Sequence, residues 1–459
     1  MFSQKQTSDF THGSILSRIL QISLPMTLAL LINVLYNVVD RMYIGHIAGD
    51  GKLALTGVGL AFPITVMVSA FQNLCSSGGS PVFSIARGRG ERAKAELALG
   101  NTYAMLLALG IVLTVVGYAV KEPVLWLIGA NEETFHYAND YLNIYLLGTV
   151  FVLTSMGMNP FINAQGASRV GMLTVLLGAV INILLDPVLI FGLGMGVQGA
   201  ALASILAQAG SCVWTHAYLL GRKAEYRIRL KSMMPEWGLM GRILSLGTTG
   251  FIAQVTNSAV TMIYNAELAA MGGTVWVTTM TVVSSVREIM MMPMHGFTSG
   301  AQPVLGFNYG ARRNDRVREG IRILTWISLA YQMAIWALLM LFPGVFIRLF
   351  NNDPELLELG SMGIRLFFCL TMFFALQTVG QTVFVALGRT RQAVFFSLLR
   401  KAFLVIPLAL ILPGMFGLGV KGVFLSEPIS DILGGGACYL VMLRMVYFRL
   451  KEESHAIHP

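Results

Sequence analysis

Asp40, Asn182, Asp186 and Ser204 are oxygen-bearing side chains set in stretches that are otherwise apolar. Oxygen-only ligands suit a hard cation such as Na⁺, and carboxylates also suit a proton. Two desolvated carboxylates close together cannot both ionise cheaply, so one of such a pair should hold a proton. That is the chemistry of a cation-coupled or proton-coupled carrier. The spacing supports it. Asn33, Asn37 and Asp40 follow i, i+4, i+7 and share one helix face; Asn182 and Asp186 are i, i+4, as are Ser204 and Gln208. At about 1.5 Å of rise per residue, Asp186 lies about 24 Å from the inner end of its helix, and Ser204 about 10 Å from the outer end of the next. Across a hydrocarbon core of ~30 Å both depths fall in the outer half. Asp40, Asn182, Asp186 and Ser204 can therefore converge in one pocket. The competing expectation is an ion pair between Asp40 and Arg41, or hydrogen bonds that only join helices.

The second half of the chain has its own buried charge. Glu267 falls near the outer end of a span, Arg287 and Glu288 fall in mid-span, Glu427 and Asp431 share a face, and Arg400 and Lys401 lie within another span. Intramembrane charge is costly and marks pathways or paired networks. Glu267, Glu288 and Glu427 are thus candidates for a polar substrate cavity, with Asn33, Asn37 and Gln208 in the first half. An interhelix network joining Glu427 or Asp431 to Arg400 or Lys401 explains the same residues structurally. The Met290–Met294 run, broken by Pro293, reads as adaptable apolar packing. No Walker A motif, GxSxG motif or His/Cys-rich cluster is present. Hence no catalytic residue, bound metal or cofactor is expected, and the protein is not read as an enzyme.

Helices must position these groups, and composition says where they lie. Hydrophobic residues make up 55% of the 459 positions and charged residues 12%, against about 25% charged in soluble domains. The apolar residues come in blocks near 15–47, 53–77, 98–120, 138–162, 170–192, 197–220, 243–270, 275–300, 321–343, 361–386, 393–413 and 422–447. Each suits a membrane-spanning helix. The ~10-residue alternation of a β-barrel is absent. The first block is too long for a signal-peptide core. Cys75, Cys212, Cys369 and Cys438 sit inside apolar blocks with no disulfide or metal spacing. Pro25, Pro160, Pro293 and Pro407 should kink their spans.

The net charge of +9 points to a membrane surface, with no nucleic acid as partner, because the basic residues sit between spans. Arg87, Arg89, Arg92, Lys94, Arg169, the six basic residues of 221–242, Arg312 to Arg322, Arg389 and Arg391 all fall on one side, with Lys5, Arg18, Arg444, Arg449 and Lys451 at the termini. The other side carries only Lys52, Lys121, Arg348 and Lys421. This bias puts both termini in the cytoplasm.

The chain also repeats. Ser77-Gly-Gly-Ser-Pro81-Val82 resembles Ser299-Gly-Ala-Gln-Pro303-Val304, and Ala164 to Arg169 resembles Ala386 to Arg391, both at an offset of 222. Gly194, Gly196, Val197 and Gly199 recur at 223, and Ile19-Leu20 with Asn33 at 224. Six spans per repeat give two parallel, pseudo-symmetric halves. The boundaries are 1–220 for the first lobe, 221–242 for a basic cytoplasmic linker and 243–459 for the second lobe. The chemistry does not repeat, since Asp40 aligns with Tyr264 and Asp186 with Ala409.

Three stretches carry a resemblance to a known family. They are Leu24-Pro25-Met26 with Val39-Asp40-Arg41-Met42-Tyr43-Ile44-Gly45, Gln302 to Ala311, and Asn182-Ile-Leu-Leu-Asp186-Pro187 with Gly199 to Ser204. Together they resemble the multidrug and toxic compound extrusion (MATE) transporters, in the MepA-type branch near the DinF group. The resemblance implies an all-α integral membrane fold of twelve helices in two six-helix lobes. It also implies a central cleft and a secondary active multidrug exporter driven by H⁺ or Na⁺ antiport. In DinF-type members an aspartate, asparagine, aspartate and hydroxyl form a first-lobe site, here matching Asp40, Asn182, Asp186 and Ser204. The hydroxyl is usually threonine, so serine departs while keeping the oxygen. Related members often have glutamine where this chain has Asn33. The tenth span, 361–386, lacks the aspartate of the NorM-type branch, so a second-lobe site of that kind is not expected. The implied cargo is small, amphipathic and cationic, and the implied setting is a monomer in the lipid of the cytoplasmic (inner) membrane. The alternative within the superfamily is a lipid-linked oligosaccharide flippase, whose cleft would be strongly cationic.

Overall fold

The computed structural model describes residues 9–47, 51–350, 353–415 and 417–457, without the side chains of 52 and 453–457. Lys5 therefore lies outside the described residues, as does the side chain of Lys52. Among the described residues the secondary structure is helical, with no strand. The spanning helices are α1 (Ile15–Gly45), α2 (Gly51–Gly88), α3 (Arg92–Ile128), α4 (Glu132–Leu147 and Thr149–Ala164), α5 (Ser168–Gly192) and α6 (Gly196–Leu220). Trp237–Gly310 is continuous in hydrogen bonding but breaks at Gly273, whose φ of 69° and ψ of −164° no side-chain-bearing residue adopts readily. It therefore supplies two spans, α7 (237–272) and α8 (274–310). α9 (Asn314–Leu341), α10 (Pro354–Phe368 and Met372–Ala386), α11 (Thr390–Gly414) and α12 (Val420–Glu452) complete twelve among the described residues.

Local chemistry sets several ends. Gly129, at φ 107°, closes α3 by donating its N–H to Leu125 and Trp126 carbonyls. Asn131 then opens α4 in a reciprocal cap with Thr134. Asp353 caps α10 by accepting from the N–H groups of Glu355 and Leu356. The two halves of α4 meet at 59° and those of α10 at 49°. Large apolar side chains such as Leu35, Phe62, Val115, Leu184 and Val213 point outward, as lipid rather than water requires.

Packing divides the chain into two compact units. Of the described residues, one holds Asp9 and those within 24–247; the other holds Phe10–Ser23 and those from 248 onward. The sequence puts the divide at the 221–242 linker, whereas packing puts it inside α1 and α7. The linker packs onto the first unit. Asn101 donates to the Ser232 and Met234 carbonyls, Gln165 accepts from the Tyr226 N–H, and Arg87 pairs with Glu225 at 3.2 Å. In this unit the start of α7 lies against α2, where a Cβ on Gly78 would collide with the Ile243 carbonyl. In the other unit Gly300, 222 positions on, meets Ser23 of α1 in the same way. The repeat thus extends to backbone contacts. It reaches single dihedrals too: Gly90 has φ 73° and Arg312, again 222 positions on, has φ 57°.

Candidate functional site: a buried oxygen pocket in the first unit

The structure brings Asp40, Asn182, Asp186 and Ser204 together. Asn182 and Asp186 stand one turn apart on α5, and both are buried. Asn182 Nδ2 donates to Asp186 Oδ1 at 3.2 Å and reaches Ser204 Oγ of α6 at 3.5 Å. Asp40, near the C-terminal end of α1, presents its carboxyl to that of Asp186. Arg41 does not neutralise it by an ion pair. Its guanidinium lies over the Phe62 ring, 5.3 Å from the centroid.

The donors do not cover the acceptors. Asp40 Oδ1, Asn182 Oδ1 and Asp186 Oδ2 are buried without a hydrogen-bond partner. Buried acceptors are almost always paired, and an unpaired one costs about 1–3 kcal/mol, more if it is charged. Three such oxygens on adjoining side chains leave the pocket rich in acceptors and short of donors.

Tyrosines complete the wall. Tyr141 of α4 reaches Ser204, and Tyr145 stacks on it with centroids 5.9 Å apart. Tyr36 of α1 lies beside Asn33 and Asn37 and in the field of Asp40. The sequence reading missed all three, because a tyrosine in a span reads as apolar. The available signal was Tyr36 at i−4 from Asp40, and Tyr141 and Tyr145 at i, i+4.

A family model described as MatE matches residues 25–188 and 250–411, one match in each half of the chain. The chain belongs to the MatE family. This membership makes it a multi-pass membrane transporter. Multidrug export protein MepA of Staphylococcus haemolyticus is 25% identical over 439 residues, covering 95% of this chain and 94% of its own. A FAD transporter of Shewanella oneidensis is likewise 25% identical, covering 95% and 96%. The solved structure titled MATE in the bent conformation superposes with a TM-score of 0.91 at 22% identity, covering 98% of this chain and 99% of that one. That agreement concerns the fold alone.

The remaining candidates scatter around this MatE scaffold. Asn37 donates to the Asn33 carbonyl at 2.6 Å and to its side-chain oxygen at 3.2 Å, so these amides serve α1 itself. Gln208 accepts from Ser155 of α4 at 2.9 Å. In the second unit Glu288 is exposed and Glu267 half-buried. Glu427 instead forms the hub of a buried network. It accepts from Lys401 at 2.8 Å and from Arg400 and Arg287 at 3.2 Å each, while Tyr264 donates to its other oxygen at 3.1 Å. Arg400 also pairs with Asp431 at 2.6 Å.

Proposed function

We propose that this protein is a secondary active exporter that couples the inward movement of H⁺ or Na⁺ to the outward movement of amphipathic drugs across the cytoplasmic membrane. The observation that carries this reading is the trio of unpartnered buried oxygens on Asp40, Asn182 and Asp186. Such a pocket is unfavourable when it holds two charged carboxylates and becomes favourable when one cation enters. In the proposed cycle Asp40 and Asp186 hold the cation or share the proton, Asn182 orients Asp186, and Ser204 supplies a further ligand oxygen. Tyr36, Tyr141 and Tyr145 keep bulk water away. Filling and emptying the pocket on opposite sides of the membrane then biases an alternating-access equilibrium, as in other parallel-repeat carriers. Cytoplasmic placement of both termini follows from the basic-residue bias.

The relatives bear names as different as multidrug export protein and FAD transporter, so the cargo is argued from this chain's own charges. An acidic first-unit pocket favours exchange against cationic drugs. The flippase alternative would need basic side chains in that pocket, where the ligand set is two carboxylates, an amide and a hydroxyl. The test is dye efflux from proteoliposomes with proton and sodium gradients imposed separately. Efflux of ethidium driven by either gradient alone supports the proposal; efflux that ignores both sinks it.

A further inference from the structure

The two units repeat one helix pairing but cover it differently. Tyr103 of α3 bonds to His216 of α6 at 2.7 Å, and Thr325 of α9 bonds to Tyr439 of α12, their counterparts 222 and 223 positions on, at 3.1 Å. One turn before Tyr103, Gly100 is roofed by the linker. A Cβ there would stand 2.3 Å from Ser232 Oγ and 2.4 Å from the Ser232 carbonyl oxygen. Asn101 fastens that roof by donating to the Ser232 and Met234 carbonyls at 3.0 and 3.1 Å. The second-unit counterpart of Gly100 is Arg322, and it is exposed.

Arg322 borders a groove of about 330 Å³ between α9, α10 and α12, within the ~300–1,000 Å³ of small-molecule sites. One end is basic. Arg322 Nη2 donates to Tyr447 Oη at 3.2 Å, and the Arg318 guanidinium lies 4.7 Å from the Tyr447 ring centroid. Away from this end Trp326, Leu329, Leu376 and Leu443 line the groove. Arg322 stands at the start of the apolar block 321–343. Trp326, one turn further in, keeps 68% of its surface exposed, as tryptophan does at a bilayer interface. A π-helical turn of α12, Leu443–Tyr447, runs alongside, a distortion that often marks functional positions.

The hydrogen-bond donors are unevenly spent. Thr325 donates to the Ile321 carbonyl at 2.8 Å, so Tyr439 must donate to Thr325, and neither hydroxyl has a proton to offer. Among the described residues Arg322 uses one of its five N–H groups and pairs with no carboxylate. Arg318 Nε is buried without a hydrogen-bond partner. Glu319, between the two arginines, is exposed and bridges to neither. Two guanidiniums with unspent donors, above an apolar trough at interface depth, complement an anionic head group that carries an acyl chain.

We infer that this groove holds an anionic phospholipid, with its phosphate on Arg322 and Arg318 and one acyl chain along Leu329, Leu376 and Leu443. The lipid does in the second unit what the linker does in the first, covering the end of a helix pair. This goes beyond the exporter reading and does not depend on it. The proposed orientation enters only in making the leaflet the inner one, and binding in detergent is independent of both.

The experiment uses the purified full-length protein, stripped of lipid in a neutral detergent, and follows its thermal unfolding midpoint, which rises with any ligand that binds the native state. Phosphatidylglycerol, zwitterionic phosphatidylcholine with the same acyl chains, and inorganic phosphate are compared at one ionic strength. Phosphatidylglycerol should raise the midpoint by several degrees in a saturable manner, while phosphatidylcholine and phosphate do not. Arg322→Gln should remove most of that rise, and Arg322→Lys should keep part of it. Arg322 is exposed, so both variants should fold. Leu329→Trp fills the trough and should remove the rise with both arginines in place. Arg89→Gln, at an exposed arginine of the first unit, should leave the rise intact. An equal rise with phosphatidylcholine or with phosphate alone, an undiminished rise in Arg322→Gln, an equal loss in Arg89→Gln, or no rise in the unmutated protein would each overturn the inference.

Discussion

The Asn182 amide nitrogen stands 3.2 Å from Asp186 Oδ1 and 3.5 Å from Ser204 Oγ, so one side chain ties α5 to α6 within the pocket. Asp186 Oδ2 is left without a hydrogen-bond partner. Asn182→Leu keeps the volume and removes the donor. Groups that orient a ligand typically contribute 10–100-fold to ion affinity. The concentration of coupling cation giving half-maximal dye efflux should therefore rise by roughly tenfold or more. Efflux rates measured against Na⁺ concentration and against pH check this, and an unchanged half-point for the coupling ion would remove Asn182 from the site.

Ser204 tests the ligand oxygen. Ser204→Thr adds a methyl group and keeps the hydroxyl, so efflux should stay within about twofold. Ser204→Ala removes a partner of both Asn182 and Tyr141, a loss of about 0.5–1.5 kcal/mol, and should weaken coupling-ion affinity by about three- to tenfold. Parallel efflux titrations of the two variants separate the outcomes; indifference to alanine would assign Ser204 to packing.

Glu427 and Glu288 should behave differently under the same change. Glu427→Gln leaves Lys401 without its carboxylate and Arg400 with Asp431 alone. Breaking a buried pair on one side costs about 3–5 kcal/mol, so the unfolding midpoint in detergent should fall by several degrees. Exposed Glu288 should tolerate glutamine within about 0.5 kcal/mol. Equal shifts for the two variants would contradict the network.

Gly90 and Arg312 occupy equivalent left-handed positions, at φ 73° and φ 57°. Arginine there carries a strain of roughly 1–2 kcal/mol that glycine does not. Arg312→Gly should raise the unfolding midpoint, and Gly90→Ala should lower it although a Cβ on Gly90 meets nothing within 4 Å. Opposite signs in one thermal-unfolding series are the expected pattern.

Much of the site was legible because helical periodicity and depth are arithmetic. Asn182 and Asp186 at i, i+4, with Ser204 entering from the same side of the next helix, had to approach one another. The twelve spans followed from block length, since lipid admits only helices and closed barrels at that depth and the blocks lack a barrel's alternation. The break at Gly273 falls in the short gap between the apolar blocks 243–270 and 275–300. Other features obey rules that periodicity does not carry. Tyr36, Tyr141 and Tyr145 look like ordinary span residues until their hydroxyls are placed. Adjacent Arg400 and Lys401 would diverge by about 100° on a regular α-helix, yet both long side chains reach Glu427 from the π-helical stretch that holds them. The packing of the basic 221–242 segment onto the first unit depends on single side chains such as Asn101 and Gln165, which no composition reveals.

The central claim is that the Asp40–Asp186 pocket carries the coupling charge, and Asp186→Asn addresses it most directly. The amide keeps the shape of the carboxylate, cannot bind a proton at working pH, and is a far weaker cation ligand. In proteoliposomes with an imposed cation gradient, ethidium efflux by Asp186→Asn should fall at least tenfold while the unfolding midpoint stays equal or rises, because a buried charge has been removed. Efflux by Asp186→Asn at the unmutated rate, with unchanged dependence on the gradient, would contradict the account.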